Sequence, residues 1–365
     1  MNNRNIFISL GGTGKIGDSC YYLNIGGTHF FLDCGSGRID GINFYPPFNL
    51  LLRTPYLQDL HQISHVIISH GHLDHMGALP EFLKLNDRAN VYMTDLTLKI
   101  AQVQLKNKLS AVAQEKISVV HFLQRIPLKN IEISFYQAGH IPGAMMTLFK
   151  WRGKNLLYTG DYSTFATPLV EAVILPKEKI DVLILCGLHA RHPYYSAVDN
   201  SLSRILRRIK DALNFGKVAY CKINQISKGI ELLTLINKFL PEVEVYIDAP
   251  QMQLVHCFED LKIPVLAINN HPLKSSVKRE VILSIFPPPP FNANYEVIPC
   301  DFSLHDDFNA TVNFVQKINP KVCIVVHCPP DKKYFSDFTI EQMLINSPDS
   351  RTSFIFPQDF EAIEF

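Results

Sequence analysis

The stretch that most narrows what this chain can be is Ser69-His70-Gly71-His72-Leu73-Asp74-His75-Met76-Gly77, with four potential metal donors in six positions. The apolar run Val66-Ile67-Ile68 before it reads as a buried strand. After it, Ala78 to Leu85 reads as the start of a helix, with Pro80 tolerable in its first turn. Histidine and aspartate therefore crowd one tight strand-to-helix loop. Imidazole and carboxylate are donors that zinc and iron take readily. His70 and His72 alternate along an extended segment and share a side, while Asp74 and His75 turn toward another. That arrangement suits two adjacent ions better than one. Gly71 and Gly77 permit tight backbone turns beside the donors. Any one of these residues alone fits a polar surface loop with a helix-capping aspartate equally well. Four of them so close together mark a metal or catalytic loop.

The chain has 365 residues, 47% hydrophobic and 19% charged, enough for one large domain or two with an ample core. Its net charge of +1 gives no overall electrostatic footprint for nucleic acid. No apolar stretch approaches the roughly 20 residues that span a bilayer, and Met1-Asn2-Asn3-Arg4-Asn5 lacks a secretory core. Eight scattered cysteines without a Cys-x-x-Cys pair point to reduced, buried thiols and a cytoplasmic location.

Near the start, Ile6 to Leu10 reads as a strand leading into Gly11-Gly12-Thr13-Gly14-Lys15-Ile16-Gly17. This run contains Gly-x-Gly-x-x-Gly, and Asp33 lies near the spacing of a ribose-binding acid. A dinucleotide fold demands a helix next. Here Cys20 to Ile25, Gly26-Gly27 and His29 to Asp33 predict a hairpin instead. A P-loop also fails, because Ser9 stands where its first glycine belongs and Ile16 where Ser or Thr should follow Lys15. Gly35 to Leu60 is loop-rich and aromatic. Asp95 to Ala113 has helical character. Ser201 to Leu213 interleaves Arg204, Arg207, Arg208 and Lys210 with Leu202, Ile205, Leu206, Ile209 and Leu213, an amphipathic helix with a positive face. Either nucleic-acid phosphates or plain solvent could meet that face. Strands over Lys217–Ile223 and Val243–Ile247 flank a helix over Ser227–Leu240, a small α/β unit. Pro287 to Pro290 reads as a stiff connector.

His-x-His-x-Asp-His after a strand resembles the signature of the metallo-β-lactamase fold, whose members are mostly binuclear zinc hydrolases. Further motifs match in order. Asp33 in Leu-Asp-Cys-Gly corresponds to the family's first motif, which braces the metal loop. His140 between Gly139 and Ile141-Pro142-Gly143 matches the third, and Asp161 after Leu156-Leu157-Tyr158-Thr159-Gly160 matches the fourth, the carboxylate between the ions. Phe302-Ser303-Leu304-His305-Asp306-Asp307 and the strand Val322 to Val326 ending in His327 resemble motifs of the β-CASP branch, nucleases with a cassette inserted in this fold.

The resemblance implies an α/β protein, a metallo-β-lactamase αββα sandwich interrupted by a short β-CASP-like α/β cassette. It divides the chain into 1–187, 188–295 and 296–365. His70, His72 and His140 would hold one ion, and Asp74, His75 and His327 the other, with Asp161 between them. The ions expected are two zinc, with manganese or iron as substitutes. Asp74, Asp161 and His305 would carry catalysis, His305 as proton donor. The implied activity is hydrolysis of RNA or single-stranded DNA, with Arg204, Arg207, Arg208 and Lys210 on the nucleic acid. One departure stands out: Cys186 occupies the place of the β-CASP motif A acid, leaving Asp306 or Asp307 as stand-ins beside His305. A small phosphodiester or ester would need only the donors. A weakly active nucleic-acid-binding subunit would account for Cys186 but not for a complete donor set.

Overall fold

The computed structural model describes residues 5–109, 115–193, 198–223, 226–258, 280–288, 294–330, 339–344 and 351–365. The chain forms two compact units. The first comprises Met1–Phe165, Ala172–Tyr195 and His305–Phe365, and the second Ala166–Glu171 and Ser196–Leu304.

In the first unit, β1 (Ile6–Gly11), β2 (Cys20–Ile25) and β3 (Thr28–Leu32) run antiparallel in turn. Gly26 and Gly27 join β2 to β3 with φ of 57° and 80°, the two left-handed positions that a type I′ turn requires. The expected hairpin forms, and no helix follows the glycine-rich loop. A small hairpin, β4 (Gly37–Ile39) and β5 (Ile42–Phe44), and 3-10 turns at Phe48–Arg53 and Leu60–Gln62 occupy the loop-rich stretch. Next come β6 (Ile63–Ile67), α1 (Leu73–Met76), α2 (Leu79–Leu85), β7 (Asn90–Thr94), α3 (Asp95–Leu105) and β8 (Ile117–Val120). Thr94 caps α3, its side chain accepting from the Thr97 N–H. The helix gives way to a 3-10 turn at Lys106–Lys108, and the rest of the helical stretch expected up to Ala113 lies largely outside the described residues. Strands β3, β6, β7 and β8 are parallel neighbours. A second sheet starts with β9 (Arg125–Leu128), β10 (Ile131–Gln137), β11 (Met145–Trp151) and β12 (Lys154–Tyr158), antiparallel in turn, and continues with β13 (Val182–Cys186) parallel to β12.

The second unit is an α/β sheet: α4 (Val198–Asn214), β14 (Val218–Lys222), α5 (Ile226–Phe239), β15 (Glu244–Ile247), α6 (Ala249–Phe258), β16 (Glu280–Ser284) and β17 (Tyr295–Pro299). Its strands are all parallel in the order β15-β16-β14-β17, which requires crossover connections. Helix α4 buries Leu202, Ile205, Ile209, Ala212 and Leu213 and exposes Arg204, Arg207, Arg208 and Lys210, as the spacing predicts. Two boundaries differ from the expected ones. Strand β17 pairs with β14, Val218 opposite Tyr295, so the unit runs to Leu304 rather than stopping at 295. The proline run, of which 289 and 290 lie outside the described residues, thus connects two strands of one sheet. The chain also stays with the first unit up to Tyr195, beyond 187.

Returning to the first unit, the chain forms α7 (Phe308–Ile318), β18 (Val322–Val326), α8 (Ile340–Leu344), β19 (Ser353–Ile355) and β20 (Ala362–Glu364). Strand β18 lies parallel to β13 and β19 to β18, while β20 closes the other sheet against β1. The two sheets pack face to face. Phe30 of β3 meets Phe149 of β11 edge-on with centroids 5.2 Å apart, and its neighbour Phe31 points outward onto Phe82 of α2 at 4.7 Å. Both faces of β3 are therefore covered, which is why its sequence is apolar without alternation. Truncation of Phe30 to Ala costs about 3–5 kcal/mol on this account. Among the described residues no helix is long and apolar enough to cross a membrane.

Candidate metal centre

The donors sit at the carboxyl ends of strands from both sheets. Asp33 follows β3, His70 to His75 follow β6, and His140 follows β10. Asp161 follows β12, Cys186 ends β13, and His327 follows β18. Parallel or doubly antiparallel strands aim all these ends the same way, so residues remote in sequence converge. Asp33, His140 and His327 adopt φ of 59°, 59° and 51°, a left-handed backbone that non-glycine residues rarely take and that turns each side chain sharply off its strand.

Asp33 braces the histidine loop. Its Oδ1 accepts from the Ser69 N–H at 2.6 Å, and its Oδ2 accepts from Ser69 Oγ at 2.8 Å, Tyr158 OH at 2.5 Å and His75 Nδ1 at 2.7 Å. With Nδ1–H committed to Asp33, His75 turns its Nε2 into the centre. The backbone locks the same loop: Ser19 N–H donates to Asp74 O, Cys34 N–H to His75 O, and Met145 N–H to Ser69 O. Gly35 is required there, since a Cβ on it would lie 1.7 Å from Asp74 O. The glycine-rich loop proves to be part of this frame. Gly12 O and Thr13 O accept from the backbone N–H groups of His327 and Cys328, both at 2.7 Å.

Around Asp161 the nitrogens close in. Oδ2 lies 3.4 Å from His75 Nε2 and 3.6 Å from each of His70, His140 and His305 Nε2, while Oδ1 lies 3.4 Å from His327 Nδ1. His70 Nε2 and His140 Nε2 lie 3.0 and 3.2 Å from His72 Nδ1. Burial pushes His70 well down and His72 down to about 3, so both are neutral imidazoles, the form that ligates. For His75, burial works downward but Asp161, Asp33 and Asp74 outweigh it and raise its pKa well above the usual value. Burial would raise Asp161, yet His75, His305 and His327 hold it far below the ordinary carboxylate range. The set fits divalent cations. His70, His72, His140 and Asp161 form one donor group, and Asp74, His75 and His327 another, each with ligand atoms within 4.8 Å of one another. His75 Nε2 and both ring nitrogens of His327 are buried with no hydrogen-bond partner among the described residues, a costly state that a cation relieves.

His305 joins this cluster, its ring 4.4 Å from that of His140. The expected stand-in acids go elsewhere. Asp306 accepts from Thr164 N–H at 2.7 Å and Thr164 Oγ1 at 3.0 Å, and Asp307 caps α7 by accepting from the Ala310 N–H. The carboxylate near His305 is Asp161. Cys186 Sγ donates to Asp161 Oδ1 at 2.7 Å, and burial together with that charge pushes the thiol pKa well up. Sequence reasoning passed over His189, buried with its ring 6.3 Å from that of His305. Its signal was a His just past a strand and a glycine, the same pattern as His140. Tyr158 was also missed, because only the fold brings its hydroxyl to Asp33. Arg204, Arg207, Arg208 and Lys210 belong to the second unit, where Arg208 pairs with Glu296 at 3.6 Å.

A family model described as the metallo-beta-lactamase superfamily matches residues 14–213. Among curated proteins, the chain is 27% identical to endoribonuclease ysh1 of Schizosaccharomyces pombe, over 64% of this chain and 32% of that one. It is 28% identical to a protein named probable RNase MJ4 of Methanocaldococcus jannaschii, over 66% of this chain and 58% of that one. It is also 28% identical to cleavage and polyadenylation specificity factor 73 of Drosophila melanogaster, over 65% and 37%. The matched segments span roughly a third to just over half of these relatives. A crystal structure of a protein of unknown function from Enterococcus faecalis shares the fold, with a TM-score of 0.68 at 14% identity over 99% of this chain and 100% of that one. The likeness to β-CASP nucleases carried by His305 and His327 accords with the ribonucleases among these relatives. With the motif residues gathered at one centre and the family model matching more than half of its length, the chain belongs to the metallo-beta-lactamase superfamily.

Proposed function

We propose that this protein is a zinc-dependent phosphodiester hydrolase that cleaves single-stranded RNA. The observation that carries the reading is the convergence of His70, His72, His140, Asp161, Asp74, His75 and His327 in two adjoining donor groups, with His305 beside them. Zinc is favoured because imidazole dominates the set. RNA is favoured over DNA because the similar relatives are named as ribonucleases. When bound, a pair of such ions supplies Lewis acidity that polarises a phosphodiester and activates water.

The chain's own residues do the rest. Asp33 fixes the tautomer of His75, and Ser69, held by Asp33, sets the start of the loop. Asp161 lies among His70, His75, His140, His305 and His327 and keeps their nitrogens converging on one point. Partly exposed at 18%, His305 sits where it can meet a substrate. Burial and the neighbouring imidazoles outweigh Asp161 and pull its pKa well down. It therefore rests neutral and passes a proton on to the departing sugar oxygen once it has taken one up. The exposed cations of α4 in the second unit contact backbone phosphates. The eight cysteines are all free and buried, which supports a reducing, cytoplasmic setting.

The test is cleavage by zinc-loaded protein of single-stranded RNA, single-stranded DNA and a small phosphodiester, in parallel. RNA should be cut fastest, and His140→Ala should abolish the cut. Cleavage of the small diester alone would replace this reading with a small-molecule hydrolase.

A further inference from the structure

We propose that Asp161, Cys186 and His305 form a third metal site, for a soft divalent cation such as zinc in excess or cadmium, beside the two-ion centre. This rests on the two-ion reading, because the sites share Asp161.

The register of the second sheet builds the site. Strand β13 lies between β12 and β18, so Cys186 at its end is flanked by the strands that deliver Asp161 and His327. Its Sγ lies 2.7 Å from Asp161 Oδ1, His305 Nε2 lies 3.6 Å from Asp161 Oδ2, and one donor atom from each of the three residues lies within 4.8 Å of the others. The two carboxylate oxygens face different company. Oδ2 faces the imidazoles of His70, His75, His140 and His305, whereas Oδ1 faces the thiol and His327 Nδ1, so the proposed site straddles both oxygens. That His327 nitrogen belongs to the neighbouring Asp74, His75 and His327 group, so the proposed site adjoins the two-ion centre on this side. Sulfur, nitrogen and oxygen donors together select a soft or borderline ion over magnesium or calcium. Among the described residues, no other cysteine stands in such a three-residue donor group.

Filling the site breaks the S–H bond of Cys186, sends its proton to solvent and forms a thiolate–metal bond. The ion also takes the Nε2 lone pair of His305, which then has no proton to give. Excess zinc or cadmium therefore inhibits cleavage by occupying the proton donor. The two-ion groups offer more imidazoles and fill first.

The experiment titrates metal-free full-length protein with cobalt(II) and follows the sulfur-to-cobalt charge-transfer absorption in the near ultraviolet. That absorption should grow only after two equivalents are bound. It should be absent in Cys186→Ser and Cys186→Ala, with circular dichroism verifying that each variant is folded. His305→Ala should weaken the third equivalent by about tenfold or more. Two bound equivalents with no sulfur absorption at any cobalt concentration overturn the third site and leave the two-ion reading intact. Sulfur absorption within the first two equivalents, or its survival in Cys186→Ser, also overturns the site as assigned. No cobalt binding at all sinks both readings together.

Discussion

The Nδ1 atom of His75 lies 2.7 Å from Oδ2 of Asp33, a carboxylate oxygen that Ser69 and Tyr158 also donate to. Aspartate at this position is therefore the joint between the first sheet, the histidine loop and the end of β12. Asp33→Asn keeps the shape but loses the charge and much of the acceptor capacity. Zinc affinity should fall about 10–100-fold while the chain stays folded. Calorimetric titration of metal-free protein measures this, and an unchanged affinity would show that Asp33 does not tune the site.

Metal content is the most direct check. Protein purified without chelator should carry two metals per chain by elemental analysis. His140→Ala and His327→Ala should each lose one. A chain that holds none after zinc supplementation contradicts the hydrolase reading.

His305→Ala should keep two ions and lose about 10²–10⁴-fold in turnover on RNA, the range of general acid catalysis. Elemental analysis and kcat on the same preparation separate a lost proton donor from a lost metal. Equal turnover of wild type and variant would leave the departing oxygen to water or metal.

Reversing Arg204, Arg207 and Lys210 to Glu should weaken RNA binding and flatten its dependence on salt by about 0.7 in log–log slope for each phosphate left unneutralised. Arg208 should matter less, because Glu296 already faces it. Binding that is unchanged at two salt concentrations assigns this face to solvent.

The second unit also carries a pH-sensitive group. Glu231 is buried, accepts from Thr167 Oγ1 at 2.7 Å, and is raised by burial from 4.5 to about 7. Between about pH 4.5 and 7 the folded chain holds a proton that the unfolded chain has released, so stability falls as pH rises through that window and levels off above it. The loss is about 3 kcal/mol. Melting temperatures of wild type and Glu231→Gln across pH 4 to 8 should diverge upward, the glutamine variant losing less. Parallel curves would mean that Glu231 titrates normally.

Local chemistry made much of the centre legible. The His70–His75 run, His140 between glycines and the strand-terminal Asp161 and His327 each announce a turn at a strand end. The paired Gly26 and Gly27, with positive φ at both, declare a hairpin and dispose of the nucleotide reading that the glycine-rich loop invites. The basic face of α4 was equally plain from spacing.

Other features have no local signature. Whether Val297-Ile298 closes the sandwich or extends the parallel sheet depends on its partner strand, and an apolar alternating segment suits either. Asp306 and Asp307 look like equivalent neighbours of His305, yet one is held by Thr164 and the other caps a helix, because adjacent side chains diverge. The sequence by itself determined the kind of donor and its place at strand ends, since residue type and turn chemistry are local. Only the tertiary structure decided which ends meet. Strand order and register turn Cys186 onto Asp161, Tyr158 onto Asp33 and the carbonyls of Gly12 and Thr13 onto the backbone of His327 and Cys328, contacts that arise when two sheets pack face to face.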